Sequence, residues 1–269
     1  MTVRYAANLS LLFTELPFEE RFKAAAAAGF RHVEFMFPYA FNAASLRSRL
    51  TDNNLSVELF NLPPGDFAAG DRGLLADAAR RDEFHRALDQ ALEYAAALGS
   101  PRLHAMLGNR PDGVSEEATR DVVIANLAYA APIAAGAGLM LTIEGLNPLD
   151  FPHFSLRHSA DAFAILAAVG QPNVKFQFDC YHLQITEGNL TYTFLNHLAE
   201  IGHVQIADVP GRHEPNTGEI NYNFVLRSIG ESSYDGFVGL EYIPSRSTGD
   251  SLAWLPRGAR SEYLSDEKD

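Results

Sequence analysis

The run Val174-Lys175-Phe176-Gln177-Phe178-Asp179 alternates without a break. In an extended chain Lys175, Gln177 and Asp179 share one face, and Val174, Phe176 and Phe178 share the other. In a barrel the outer face of each strand is covered by apolar helices, so the polar set of this run points inward and Asp179 closes it. The same design recurs along the chain. Glu144 ends GLMLTIEG, Gln205 sits in IGHVQIAD and Glu241 ends GFVGLEY, at intervals of about one βα unit. An apolar strand with one polar group at its C-terminal end is the layout of a parallel-barrel active site.

Eight such runs can be read: VRYAAN (3–8), HVEFM (32–36), SVELF (56–60), RLHAML (102–107), LMLTIE (139–144), VKFQFD (174–179), HVQIAD (203–208) and FVGLEY (237–242). The segments between them have helical patterning. DEFHRALDQALEYAAALG places Phe84, Leu88, Leu92 and Ala95 on one stripe and stops at Gly99. FEERFKAAAAAGF also ends at glycine. Ser115 before Glu116 and Glu117 suits an N-cap with an acidic first turn, and Pro132 is expected to kink or break the helix that follows. The fold class is therefore α/β, a single (β/α)8 TIM barrel over residues 1–269, with a polar C-terminal tail after about 256 expected to fray. Long loops at 61–73 and 208–222 fall after the third and seventh strands, where lids and binding loops lie.

Composition narrows the function. The 269 residues suit one barrel, and 47% hydrophobic residues supply a large core. A net charge of −13 repels phosphates on average, against a nucleic-acid partner. No apolar run reaches the ~20 residues of a membrane span, and the start lacks a signal-peptide pattern. Cys180 is the one cysteine, which excludes an intramolecular disulfide and suits a cytoplasmic location. Lys23, Lys175 and Lys268 are the only lysines. Lys175 lies four residues before Asp179, roughly 13 Å below the strand tip at the usual rise, which argues against a Schiff-base aldolase.

Buried strand-end carboxylates must be neutralised by arginines or by a metal. Few arginines lie at strand ends, so a cation is expected. A single strand-end glutamate is commonly a surface or ion-paired residue, but positions in successive units point to a site. Glu144, Asp179, Gln205 and Glu241 offer oxygen only, favouring Mg²⁺ or Mn²⁺ over Zn²⁺. Glu34, ending the second strand, is a candidate for substrate binding or for a loop arginine. His104 and His203 read as core histidines lower in the barrel. Glu219 and Arg212 share a loop and are candidates for a mutual salt bridge. Cys180 reads as an inert buried thiol.

Distinct stretches now combine: ANLSLLF, GFRHVEFMFPY, NLPPGDFAAGDRG, TIEGLN, FDCYHLQ, GHVQIAD, RHEPNTGEINY and GLEY. Together, along nearly the whole chain, they resemble the hydroxypyruvate isomerase family of xylose-isomerase-like TIM barrels. The resemblance implies metal-binding residues at Glu144, Asp179, Gln205 and Glu241, acid/base glutamates at Glu144 and Glu241, and substrate contacts from His182 and Arg212. Most related sugar isomerases and epimerases carry histidine as the third ligand, whereas Gln205 follows the hydroxypyruvate isomerase pattern. The chain departs at Ile243, where close relatives often have lysine, and at Phe60, where they have histidine. Both positions are expected near a substrate carboxylate.

The implied activity is interconversion of hydroxypyruvate and tartronate semialdehyde (2-hydroxy-3-oxopropanoate) through an enediolate, with a small hydroxy-oxo acid as the partner molecule. Alternatives are a 2-oxo-tetronate isomerase, which the LFN, RHEP and GEINY stretches also resemble, and a ketose 3-epimerase. A non-catalytic sugar-acid-binding barrel would require a broken ligand set. A barrel endonuclease would require histidine-rich zinc clusters and a basic groove. Barrels of this group often associate, so a homo-oligomer is a further expectation, with Trp254 offered as an interface residue.

Overall fold

The structure, a computed structural model, describes residues 3–261. Eight parallel strands close on themselves in sequence order: β1 (Arg4–Asn8), β2 (His32–Phe35), β3 (Ser56–Asn61), β4 (Arg102–His104), β5 (Met140–Ile143), β6 (Val174–Asp179), β7 (Ile201–Gln205) and β8 (Phe237–Leu240), with β1 pairing β8. The helices are α1 (Phe18–Ala27), α2 (Ala43–Asp52), α3 (Arg81–Leu98), α4 (Glu116–Gly136), α5 (Ser159–Val169), α6 (Cys180–Thr186), α7 (Leu190–Asn196), α8 (Tyr222–Glu231) and the single turn α9 (Thr248–Ser251). The chain is a (β/α)8 TIM barrel, as the strand pattern requires.

The apolar core lies between strands and helices. Phe22 and Phe84 from the helices meet Phe35, Phe60, Phe176 and Phe178 from the outer strand faces, all buried. Phe84, Leu88 and Ala95 form the buried stripe of α3, and Gly99 closes it in the left-handed conformation at φ 76°. Ser115 Oγ accepts from Ala118 N as the cap of α4.

Several boundaries differ from the sequence reading. β4 ends at His104 rather than 107; beyond it the backbone turns aside to bridge Leu107 with Gly73. β7 starts at Ile201 and ends at Gln205. Pro132 neither breaks nor ends α4, which runs on to Gly136. Pro132 and Ala128 both face solvent, on the side of the helix where water can reach the carbonyl left without its N–H, while Leu127, Ala130, Ala131 and Ala134 hold the other face in the core. The start of the polar tail is pinned rather than frayed. A 3-10 turn at Arg257–Arg260 is tied down by Arg257 to Ala27 O (2.7 Å) and by Arg260 to Ala28 O (3.0 Å) and Leu252 O (2.8 Å). The rest of that tail, 262–269, lies outside the described residues. Trp254 is half-buried and sets its ring edge-on to Tyr5 at 6.0 Å.

The barrel interior is polar. At its lower end Glu58 meets His32 (2.7 Å) and Arg102 (3.4 Å), and Lys175 Nζ reaches Ala199 O at 2.6 Å, far from the strand tips. That placement removes Lys175 from any chemistry at the mouth.

Candidate active site at the carboxyl end of the barrel

Glu144 follows β5 directly, Asp179 ends β6, Gln205 ends β7 and Glu241 follows β8, so all four positions lie at the C-terminal end of the barrel, but the close-set group of ligand atoms joins Glu144 and Asp179 to His182 rather than to Glu241. All are buried. They sit on a polar network that the strands carry beneath them. Thr142 Oγ1 donates to Gln177 Oε1 (2.9 Å), and Gln177 Nε2 donates to Gln205 Oε1 (2.7 Å) and Glu144 Oε2 (3.3 Å). Gln205 Nε2 donates to Glu34 Oε1 at 2.8 Å. Because a carboxylate can only accept there, the Gln205 amide is oriented with its oxygen toward Gln177.

Glu34 has no exposed surface, and its oxygens are taken by Asn8 Nδ2 (2.9 Å), Gln205 Nε2 and His203 Nε2 (2.6 Å). It therefore meets neither a loop arginine nor the open mouth; it holds Gln205 from below. Gly239 makes this possible, since a Cβ there would lie 2.3 Å from Glu34 Oε2. Asn8 extends the network to Glu241 Oε1 at 3.3 Å.

Asp179 also caps α6: its Oδ1 accepts from Tyr181 N (2.7 Å) and His182 N (3.4 Å). Its Oδ2 and Glu144 Oε1 are buried and have no hydrogen-bond partner among the described residues. Glu144, Asp179 and His182 bring ligand atoms within 4.8 Å of one another, a trio able to hold a divalent cation. The orphaned carboxylate oxygens are what such an ion would satisfy. His182 Nδ1 accepts from the backbone N–H of Asn147 at 3.2 Å. The neutral ring therefore carries its proton on Nε2, 3.7 Å from Asp179 Oδ2, and would have to release it to become a ligand.

One arginine does reach the carboxylates, from a loop rather than a strand end. Arg212, at φ 58° between β7 and α8, bonds Glu241 Oε2 through Nη2 and lies 3.7 Å from Asp179 Oδ2, with Tyr181 under its guanidinium at 5.3 Å. It makes no bridge to Glu219, whose Oε1 accepts from Gln184 at 3.3 Å. Its loop is organised by buried Asp208, which accepts from the backbone N–H groups of Val209, Thr217, Gly218 and Ile220. Ile243 N donates to Arg212 O at 2.7 Å, fixing the loop to the end of β8.

Burial, then the charges of Asp179 and Glu241, pushes the Glu144 carboxyl well above its ordinary range. Burial also raises Asp179, against the pull of Arg212. Glu241 is pushed up to about 8, by burial first, although Arg212 opposes it. Burial works against the Arg212 cation, but Glu241, Asp179 and Glu144 outweigh it and hold the guanidinium above its ordinary value. Burial and then His203 push His104 down to about 3, keeping it neutral. Burial, then Arg212 and His104, lowers His182 well below the usual imidazole value.

Some of this escaped the sequence reading. His104 is more than packing: its Nε2 has no hydrogen-bond partner among the described residues and stands 3.7 Å from Glu144 Oε2. Gln177 was placed inward with Asp179 by alternation, whereas Asn8, at the end of β1, went unremarked although the same alternation marks it. Asn147 and Asp208 lie in loops, where no periodicity marks them. Phe60 is corrected: it faces outward, stacked on Phe35 at 6.1 Å, and takes no part in the mouth. Ile243 is half-exposed beside the Arg212 loop. Cys180 is buried, and burial raises its thiol well above the usual value, so it is inert.

A closed barrel with buried carboxylates gathered at its C-terminal mouth, in a spacing compatible with a divalent cation, has the layout of a TIM-barrel active site. The chain belongs to the xylose isomerase-like TIM barrel family, whose model matches residues 22–258. It is 46% identical to the 2-oxo-tetronate isomerase of Cupriavidus necator, over 94% of this chain and 97% of that protein. It is 43% identical to the hydroxypyruvate isomerase of Escherichia coli, over 94% and 98%. A solved structure from Brucella melitensis, described as an AP endonuclease of family 2, superposes with a TM-score of 0.92 at 44% identity over 94% of this chain and 98% of that one. These relatives place the chain among enzymes, in the isomerase branch of the family.

Proposed function

We propose that this enzyme isomerises short hydroxy-2-oxo acids by moving a proton between adjacent carbons, with hydroxypyruvate and 2-hydroxy-3-oxopropanoate as the first pair to test. The observation that carries the reading is the pair of buried glutamates, Glu144 after β5 and Glu241 after β8, facing one mouth from three strands apart with both carboxyls pushed upward. A base poised near neutral pH and a second group able to return a proton are what a 1,2-proton shift needs.

In this reading Glu144, Asp179, Gln205 and Glu241 would hold a divalent cation, Mg²⁺ or Mn²⁺ being suited to that oxygen-rich set, which would supply Lewis-acid polarisation of the substrate carbonyl. One glutamate takes the C3 proton and the other supplies a proton at C2, while the hydroxyl proton passes from the C3 oxygen to the C2 oxygen. His182 presents an N–H donor toward the reacting oxygens, and Arg212 balances the carboxylates. The buried network from Glu34 to Gln205 fixes the oxygen that Gln205 presents. A cytoplasmic enzyme acting on a small molecule, as a homo-oligomer and without nucleic acid or membrane, completes the proposal.

A second reading, the four-carbon 2-oxo-tetronate acids, is favoured by the relative at 46% identity. Both are tested by assaying metal-stripped protein on each acid and on a free ketose, with and without Mg²⁺ or Mn²⁺, beside Glu144→Gln and Glu241→Gln. Metal-dependent turnover of either acid, reduced at least the ~10²–10⁴-fold typical of acid–base groups in both variants, supports the proposal. Turnover of the ketose alone, or turnover that survives both substitutions, overturns it.

A further inference from the structure

We infer that His104 is a positioning residue for Glu144: its Nε2–H holds Glu144 Oε2 and leaves Oε1 to face the cation and the substrate. The inference rests on the acid-isomerase reading above. His104 ends β4 inside the barrel with 2% of its surface exposed, and its Nε2 has no hydrogen-bond partner among the described residues. A buried polar atom left unpaired costs stability, so native chains keep few of them, and catalytic sites are one place where they are kept.

The place of His104 follows from strand register. It pairs with Thr142 across β4 and β5, and Glu144 stands two residues beyond Thr142 on the same inward face. The ring therefore lies below the strand tips, with Nε2 3.7 Å from Glu144 Oε2. The same oxygen accepts from Gln177 Nε2 at 3.3 Å, and Thr142 Oγ1 fixes that amide by donating to Gln177 Oε1 at 2.9 Å. Glu144 Oε2 thus faces nitrogen atoms carried by β4 on one side and β6 on the other, while its Oε1 is buried and has no hydrogen-bond partner among the described residues.

The separation is about 0.5 Å beyond the ~3.2 Å reach of an N–H···O bond. Catalytic hydrogen bonds are often this loose in a free enzyme and tighten when substrate seats. A carboxylate held at one oxygen by donors from both neighbouring strands presents its other oxygen in one direction. A shared cation and a proton to be removed both require that fixed direction, since a misplacement of ~1 Å can cost ~10²-fold in rate. Leucine fills a similar space but offers no donor, whereas glutamine can bring its own Nε2 close to the same point.

The test uses wild type, His104→Leu and His104→Gln. Mn²⁺ is titrated into metal-stripped protein by electron paramagnetic resonance, and melting temperature is recorded without metal. KM and kcat are measured on hydroxypyruvate and the 2-oxo-tetronate acids at saturating Mn²⁺. His104→Leu is expected to weaken Mn²⁺ binding and to lower kcat, each about 10–100-fold, the range seen when a group behind a metal ligand is lost. Its KM should stay within a few-fold, and its melting temperature should not fall, because the donor removed had no partner. His104→Gln should recover part of both losses. Mn²⁺ affinity or kcat unchanged in His104→Leu, equal losses in His104→Leu and His104→Gln, or no Mn²⁺ binding by wild type overturns the inference. Mn²⁺ binding that weakens in His104→Leu and recovers in His104→Gln, without turnover of any acid, would instead leave the inference standing and sink the isomerase reading.

Discussion

Glu34 shows how far one residue can be read from sequence and where reading stops. Strand alternation places it inside the barrel on β2, and Gly239 stands on β8, with β1 between the two strands. Alternation cannot say that its oxygens are consumed by Asn8, Gln205 and His203, because that depends on which inward side chains share a layer. The glycine carries the consequence. In Gly239→Ala the new methyl would stand 2.3–2.4 Å from both Glu34 oxygens, so the carboxylate must move and Gln205 loses its anchor. Over-packing of this kind costs about 1–3 kcal/mol. A lowered melting temperature together with weakened Mn²⁺ binding is the expected result. Loss of stability with unchanged Mn²⁺ affinity would show that Gln205 does not depend on Glu34.

The places of Glu144, Asp179, Gln205 and Glu241 at the strand ends were legible because period-two patterning fixes both face and height on an element. Arg212 was legible as a loop residue, but not as the partner of Glu241. Its reach depends on a left-handed backbone and on a loop folded around Asp208, neither of which leaves a periodic trace. The break expected at Pro132 does not occur for the complementary reason: the residue type argues for a kink or a break, while the solvent exposure around it is a tertiary fact. The β7–α8 loop is accordingly the element whose disruption is most informative. In Asp208→Asn, one acceptor oxygen facing backbone N–H groups becomes an NH₂ donor, leaving buried donors unmet at about 1–3 kcal/mol. Hydrogen exchange should quicken across 209–220 while β1–β6 keep their protection. Turnover should fall roughly 10–100-fold through the displaced Arg212. Faster exchange with undiminished turnover would remove Arg212 from the chemistry.

At the scale of the whole molecule, the barrel stores a conflict that pH and metal should expose. Folding raises the carboxyls of Glu144, Asp179 and Glu241, the last from 4.5 to about 8. A raised acid is stabilised in its protonated form, so between those two values the folded chain holds a proton that the unfolded chain has lost. Stability then falls as pH rises. Metal-stripped protein should melt at progressively lower temperature from about pH 4.5 to about pH 8. The net charge of −13 contributes in the same direction through self-repulsion. Glu241→Gln separates the two effects, because it removes one buried titration while changing the global charge by a single unit, and its pH slope should be shallower than that of wild type. A divalent cation replaces the protons on its ligands, so Mn²⁺ should raise the melting temperature more at pH 8 than at pH 5, with protons released on binding. Equal metal stabilisation at both pH values, with no proton release, would mean that the raised carboxyls and the cation do not share one site.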